Sequence, residues 1–197
     1  MKYYQIKNNV LSDRYLNDLW NKISSHAYFS VNNLNRDFVK TKGFSVVFQR
    51  DGLSIVEQKF PFFKPYLDLA IQPDCNAFYL NPLLLEEGSR VDPHIDRSLR
   101  SYYKTIDSPF LVSVLYVRVP ENMMGGELIL KSGKRHVAKI TPQRNSLIYF
   151  QGDLIHAVNP VKTAGSRLSL VCEQYALSTS EMEDIPLFTV ESRAYSR

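Results

Sequence analysis

The fold is decided between Phe110 and Tyr175, where six short apolar segments follow one another. They read FLVSVLYVRV (110–119), ELILK (127–131), RHVAKI (135–140), NSLIYF (145–150), LIHAV (154–158) and RLSLVCEQY (167–175). Each segment is rich in Val, Leu or Ile, and turns separate them at roughly even spacing. This rhythm is typical of an all-β sandwich or barrel.

The remaining segments extend this picture in both directions. AFYLNPLLL (77–85) predicts a further strand, in which Pro82 indicates a bulge or an edge position. Before it, Ser12 is a candidate N-cap of an amphipathic helix, residues 44–49 predict a short strand and residues 65–71 a short helix. We therefore expect a single domain over 1–197, with a helical N-terminal part (about 1–75), a β core (about 76–176) and a C-terminal tail (177–197).

The composition excludes several classes of protein. The chain has 197 residues, 44% hydrophobic and 12% aromatic, which suits one sizeable core and excludes a wholly disordered chain. No run approaches ~18 apolar residues, so no membrane-spanning helix is expected. The net charge of +4 is too small and too scattered to predict nucleic-acid binding by itself.

The N-terminus and the cysteines bear on localisation. The first ten residues lack the apolar core of a secretory signal. Cys75 and Cys172 are far apart and form no CxxC motif, so neither a disulfide framework nor a thiolate zinc site is expected. Together these features favour a reduced, cytoplasmic setting.

Three residues in two motifs have the character of metal ligands. His94 and Asp96 stand two apart in DPHIDRS, so in an extended segment both side chains point to one side. His156 follows in GDLIHAVNPV. Two imidazoles and one carboxylate can form a facial triad, which leaves coordination positions open and suits Fe(II). Structural roles for these histidines are the alternative, and His136, in a hairpin strand, is a rival ligand.

Arg167 is the fourth candidate residue. It begins the last apolar segment, and Ser169 shares its face of the strand. An inward arginine in a mostly apolar barrel needs an anionic partner, and its planar guanidinium matches a carboxylate with two hydrogen bonds. The alternative is an arginine paired with a glutamate at the rim of the barrel.

These motifs, in this order, resemble those of a known enzyme family. About half of the chain, Asn76 to Tyr175, resembles the core of a 2-oxoglutarate- and Fe(II)-dependent oxygenase of the prolyl-4-hydroxylase-like type. The matching features are Gly88, His94-x-Asp96, the strand LVSVLYVRV, Gly125-Gly126-Glu127-Leu128, Pro142 with Phe150, His156-Ala-Val158, Pro160-Val161 and Gly165-x-Arg167-x-Ser169.

The resemblance implies a fold, a cofactor and a cosubstrate. The fold would be mainly β, a double-stranded β-helix (jelly-roll or cupin-like) with N-terminal helices packed outside. Fe(II) would be held by His94, Asp96 and His156, and 2-oxoglutarate and O2 would be the cosubstrates. Arg167 would pair with the distal carboxylate of 2-oxoglutarate, with Ser169 adding a hydrogen bond.

The sequence departs from the family pattern at two positions. Leu85 stands where members often carry a tyrosine, so Tyr79 and Asn81 become the nearest polar residues for holding the cosubstrate. Tyr116 is a further candidate if it points inward; otherwise it is a core aromatic. Asn145 replaces a common glycine, and asparagine tolerates the left-handed backbone conformation better than most residues.

The predicted activity is that of a dioxygenase that hydroxylates a C–H bond of a free or peptidyl amino acid. One alternative keeps this chemistry on nucleic acid, as in oxidative demethylases, but the chain has no basic run interleaved with aromatics. A second is an iron-free β-barrel binding module. A third, a zinc hydrolase with the same ligands, leaves Arg167 unexplained. The expected partner is a small molecule or a peptide, and no feature indicates an oligomeric state.

Overall fold

The computed structural model describes residues 2–31 and 37–195. Its N-terminal part mixes strands and helices: β1 (Tyr4–Asn8), α1 (Asp13–Ser24), β2 (Ser30–Val31), β3 (Phe38–Gly43), β4 (Ser45–Gln49), α2 (Leu53–Lys59) and α3 (Lys64–Ala70). This part contains three α-helices, as expected, and it also contributes four strands. All four pair with other strands, and β3 and β4 lie directly against the core.

The remainder of the chain is mainly β. Seven strands form the core: β5 (Ala77–His94), β6 (Leu111–Arg118), β7 (Leu128–Ser132), β8 (Arg135–Ile140), β9 (Ser146–Gln151), β10 (Ile155–Val158) and β11 (Arg167–Tyr175). The C-terminal segment then forms α4 (Thr179–Met182) and β12 (Phe188–Glu191). The six segments predicted between residues 110 and 175 are all strands.

The strands pair antiparallel in the order β1-β9-β6-β11-β5-β10-β7-β8. On the other side of β5, β3 and β4 join the sheet, and β12 pairs with β4. The first half of β5 pairs with β11, whereas its end pairs with β10 at Val91 and His94. This curled antiparallel sheet has the form of a jelly roll, as expected.

Pro82 occupies neither an edge nor a bulge. It lies in the interior of β5 and is opposite Leu170 in a continuous ladder with β11. On the other edge of β5, Gly43 of β3 pairs with Leu83 and Val46 of β4 pairs with Leu80. The ladder is interrupted between these two pairs, opposite the proline. Because proline has no N–H to donate, the sheet accommodates it where β3 gives way to β4.

The helices cover one face of the sheet. α1 begins at its predicted N-cap, where the Ser12 hydroxyl accepts a hydrogen bond from the Tyr15 N–H at 3.3 Å. Its apolar face, Leu16, Leu19 and Ile23, is fully buried. This face joins a core that contains alternate residues of β5 and β11, such as Phe78, Leu80, Leu84, Leu168, Leu170 and Cys172. The opposite side chains of the same strands face the interior of the β core.

Asn145 adopts the left-handed backbone conformation that was expected for it, with φ of 64°. Its side chain also holds the N-terminal segment, since it accepts from the Leu11 N–H at 3.0 Å and donates to the Leu11 carbonyl at 2.7 Å. Within the described ranges, no helix is long and apolar enough to cross a membrane.

Candidate metal centre

Three side chains, two from neighbouring strands and one from the segment after β5, converge at one end of the β core. His94 ends β5, Asp96 follows two residues later, and His156 lies opposite His94 in β10. The Nε2 atoms of His94 and His156 lie 3.2 and 3.3 Å from the two carboxylate oxygens of Asp96. One ligand atom from each residue can be chosen so that all lie within 4.8 Å of one another. The predicted triad therefore has the spacing of a metal site.

The two imidazoles are oriented by the backbone. Nδ1 of His94 lies 2.8 Å from the Asp92 carbonyl, and Nδ1 of His156 lies 3.2 Å from the Leu154 carbonyl. A carbonyl oxygen only accepts, so Nδ1 carries a hydrogen in both rings, and the Nε2 atoms point towards Asp96. Metal-binding histidines are commonly oriented in this way.

The electrostatics of the triad suit a divalent cation. Burial alone would raise the pKa of Asp96, but the imidazoles of His156 and His94 lower it well below its usual range. Burial tends to lower the pKa of His94, yet the Asp96 carboxylate raises it overall. The site therefore holds an ionised carboxylate beside two nitrogen donors. This set, two His and one carboxylate, is the one that non-haem Fe(II) sites use.

All eight sequence-predicted site residues line one cavity. They are His94, Asp96, His156, Arg167, Ser169, Tyr79, Asn81 and Tyr116. Apolar side chains such as Val114, Leu128 and Val171 complete its wall. A largely apolar cavity with few convergent polar groups is typical of a small-molecule site.

Unsatisfied polar atoms are concentrated in this cavity. Over the described residues, five buried side-chain polar atoms lack a hydrogen-bond partner, and four of them belong to residues that line it. The four are Asn81 Oδ1, Asp96 Oδ2, Arg167 Nε and Ser169 Oγ. Buried polar atoms are nearly always satisfied in folded proteins, so a cluster of exceptions indicates a ligand-binding site.

Arg167 is buried without a counter-charge. Its side chain is 2% exposed, Nη1 donates to the Gly126 carbonyl at 2.5 Å, and the guanidinium lies 5.1 Å from the centre of the Tyr116 ring. Burial lowers the pKa of Arg167. No carboxylate of the described chain forms an ion pair with it, so the arginine–glutamate pair considered above is not observed. The arrangement fits an incoming carboxylate.

The Gly125-Gly126 turn brings this carbonyl against Arg167. Both glycines have positive φ, 78° and 70°. A Cβ on Gly125 would lie 2.0 Å from the Pro160 carbonyl oxygen, and the Gly126 N–H donates to the Asn159 carbonyl at 3.2 Å. The close approach of two backbone segments therefore requires glycine here.

The remaining polar candidates differ in their availability. The Tyr79 hydroxyl donates to Glu191 of β12 at 3.3 Å. The Asn81 amide donates to Ser45 Oγ at 3.0 Å and leaves its carbonyl oxygen unpartnered. The ring of Tyr116 contacts the Arg167 guanidinium and also belongs to an apolar cluster. Tyr116 is thus both a core aromatic and part of the cavity wall.

Sequence reasoning missed one polar residue of the cavity, Glu173. Its side chain is 4% exposed, and it accepts hydrogen bonds from the Ser98 N–H, the Ser98 hydroxyl and the Tyr175 hydroxyl. Burial, and secondarily the charge of Asp96, raises its pKa. The two-residue periodicity of β11 could have indicated Glu173, because every second side chain of this strand lines the cavity: Arg167, Ser169, Val171 and Glu173.

The rival ligand His136 is exposed on β8 and has no part in the triad.

Comparison with known proteins gives the class to which this site belongs. Residues 78–172 match the model of the 2OG-Fe(II) oxygenase superfamily. No curated protein sequence matches significantly. Among solved structures, a Pseudomonas putida prolyl-4-hydroxylase is 16% identical, with a TM-score of 0.58 over 89% of this chain and 93% of that one.

Two further structures agree. A Trichoplax adhaerens prolyl hydroxylase, in complex with a hypoxia inducible factor oxygen degradation domain peptide, is 16% identical, with a TM-score of 0.59 over 88% of this chain and 83% of that one. The viral collagen prolyl hydroxylase of Paramecium Bursaria Chlorella virus-1, in its 2-oxoglutarate complex, is 17% identical, with a TM-score of 0.56 over 89% and 97%.

The fold and the triad thus define a jelly-roll oxygenase dependent on Fe(II), 2-oxoglutarate and O2. Residues 78–172 match the 2OG-Fe(II) oxygenase superfamily, and the chain is prolyl hydroxylase-like in fold.

Proposed function

We propose that this enzyme hydroxylates a C–H bond of a free or peptidyl amino acid. The Trichoplax structure, which holds a peptide, supports a peptide substrate. The observation that carries the proposal is the single cavity that joins the triad to a buried guanidinium without a counter-charge. In this reaction one atom of O2 enters the substrate as a hydroxyl group, and the other enters succinate as 2-oxoglutarate loses CO2.

In this proposal, His94, Asp96 and His156 hold Fe(II), which supplies the oxidation of an unactivated C–H bond. The Nδ1 hydrogen bonds of the histidines keep their Nε2 atoms aimed at the metal. With Asp96 ionised, the charge of the loaded centre is +1, which favours an anionic cosubstrate.

Arg167 and Ser169 bind the distal carboxylate of 2-oxoglutarate. A carboxylate here would accept from the unpartnered Arg167 Nε and from the Ser169 hydroxyl, which satisfies two of the four unpaired atoms. Asn81, Tyr79 and Tyr116 shape the adjoining wall. The apolar side chains between these groups exclude water, which strengthens the ionic contact.

The test is the release of succinate from 2-oxoglutarate by the purified chain. We expect release to require Fe(II) and to be lost in both His94→Ala and Arg167→Ala. Metal analysis of the same samples separates the two losses, because Arg167→Ala should keep its iron and His94→Ala should not. An iron-free protein without succinate release would instead indicate a binding module.

The proposal extends to the domain organisation and the cellular location of the enzyme. We propose that the chain acts as one domain, in which the N-terminal part, the β core and the C-terminal tail contribute strands to a common sheet. We also propose a cytoplasmic location. The unpaired thiols of Cys75 and Cys172, both buried, support a reducing compartment.

A further inference from the structure

The cavity has a second charged group that the proposed chemistry does not use. Glu173 lies six residues after Arg167 on the same face of β11, which places the two Cα atoms about 20 Å apart. Glu173 lies at the end of β11 that is nearer to the metal centre, because its carboxylate accepts hydrogen bonds from Ser98, two residues beyond Asp96. The cavity-facing side of β11 thus has a cation, Arg167, at one end and a carboxyl group, Glu173, beside the metal centre.

Glu173 has hydrogen-bond donors but no counter-charge. Among the described residues, three donors reach it, the N–H and hydroxyl of Ser98 and the hydroxyl of Tyr175, and these hydrogen bonds oppose the rise that burial causes in its pKa. No Lys, Arg or His of the described chain forms an ion pair with it. Within the described part of the chain, Oε1 accepts one hydrogen bond, from the Ser98 hydroxyl, so this oxygen retains acceptor capacity.

A buried carboxylate that lacks a cation is costly, and the cost falls when a cation binds. Arg167 lies at the far end of the same cavity and the two imidazoles face Asp96, so none of these groups forms an ion pair with Glu173. Glu173 lines the cavity in which the substrate must lie to reach the metal centre. A positively charged substrate would therefore supply the missing charge at the place where the reaction occurs.

We propose that Glu173 binds a cationic nitrogen of the substrate, so that the enzyme acts on a basic amino acid, free or in a peptide. The cation is an ammonium or guanidinium group, bound by a charge-assisted hydrogen bond to the carboxylate. This inference rests on the proposed function, because it assigns the substrate class of the same site. It divides the cavity into an anion-binding end at Arg167 and a cation-binding end at Glu173.

The experiment uses matched pairs of probes with the enzyme loaded with Fe(II) and 2-oxoglutarate. The probes are Nα-acetyl-arginine amide against Nα-acetyl-citrulline amide, and Nα-acetyl-lysine amide against Nα-acetyl-norleucine amide. Hydroxylated product is measured by mass spectrometry, and succinate is measured in parallel. We expect kcat/KM to favour the charged member of at least one pair by about 10- to 100-fold, as one charge-assisted hydrogen bond predicts.

Glu173→Gln is the matching variant, and Glu87→Gln, on the exposed surface of β5, is its control. We expect Glu173→Gln to remove most of the preference for the charged probe and Glu87→Gln to keep it. An equal loss with charged and neutral probes would show that Glu173 is only structural and would overturn the proposal. If Glu173→Gln does not fold, the preference of the unchanged enzyme decides.

Binding of 2-oxoglutarate to the anaerobic Fe(II) protein separates this inference from the proposed function. If the metal-to-ligand absorption band forms but neither basic probe is hydroxylated, or the neutral probes are preferred, the basic-substrate proposal is wrong. If the band itself does not form, the proposed function fails first.

Discussion

Replacing Arg167 with methionine should separate stability from cosubstrate binding. Among the residues that the structure describes, the guanidinium has one hydrogen bond, to the Gly126 carbonyl, and no counter-charge. Losing that bond costs about 1 kcal/mol, whereas removing a buried uncompensated charge recovers several kcal/mol. We therefore expect Arg167→Met to unfold at the same temperature as the unchanged protein or a higher one.

The response to 2-oxoglutarate should change in the opposite direction. At a concentration of about 100 times its Kd, the ligand stabilises the folded state by about 2.7 kcal/mol, which for a chain of this size raises Tm by roughly 5–11 °C. Losing the partner of a buried charge pair costs about 2–5 kcal/mol, which weakens binding by at least about 30-fold. At the same concentration the variant should then gain under about 1 kcal/mol.

The assay is thermal unfolding of the anaerobic Fe(II) protein with and without 2-oxoglutarate. Arg118→Met is the matched control, since Arg118 lies on the adjacent strand β6, is exposed and stacks on Trp20 at 4.3 Å. This control should keep the full ligand shift. A fall in ligand-free Tm of more than about 10 °C in Arg167→Met, or an undiminished shift, would refute the reasoning.

Three further predictions concern the metal, the glycine turn and acid stability. Asp96→Ala should bind no stoichiometric Fe(II), and addition of EDTA should therefore no longer lower its Tm; a chelator effect equal to that of the unchanged protein would contradict the triad. Gly125→Ala should lose at least about 2 kcal/mol in urea unfolding, because its φ is 78° and the new Cβ would meet the Pro160 carbonyl; an unchanged midpoint would show that the turn relaxes freely. The pKa of Glu127 is lowered to about 2, mainly by the hydrogen bond from Asn159 and secondarily by the one from Lys139. Glu127 therefore stabilises the fold above about pH 4.5, and this contribution disappears as the pH falls towards 2. Glu127→Gln should flatten the decline of stability in that interval, measured by urea unfolding at several pH values, and an identical pH profile would argue against it.

Local sequence patterns were sufficient to predict the elements whose buried apolar residues recur at the spacing of a helix or a strand. Ser12 caps α1 and its apolar face is buried, because both signals lie within one short segment. The strands from β6 to β11 were predictable for the same reason, since each is a continuous apolar run. The HxD motif and His156 were predictable as ligands because their chemistry is distinctive even though 62 residues separate His94 from His156.

Other elements depend on partners that the local sequence does not show. All five side chains of β1 are exposed, so it has no burial pattern, and the ladder with β9 holds it instead. β5 was expected to end at Leu85, but it continues to His94 through a polar stretch. Pairing with β3 and β10 supplies the main-chain hydrogen bonds that keep this polar stretch extended.

Charge pairing was the least predictable property. Glu173 follows Arg167 by an even number of residues, so its orientation could have been inferred from strand periodicity alone. Its lack of a cationic partner could not, because this depends on which side chains surround the cavity. The same holds for Tyr79, whose hydroxyl is bonded to Glu191 from β12, a strand that no sequence pattern indicated.

The strict two-residue alternation of β11 constrains how this protein can diverge. A one-residue insertion or deletion between Ser169 and Glu173 would turn the cavity-facing side chains on one side of the change towards the apolar core that the helices cover. Length changes here are thus forbidden, whereas side-chain replacements at positions 171 and 173 leave the anion-binding end untouched. New specificities in descendants of this enzyme should accordingly arise by point substitution at the metal end of β11, with its length held constant.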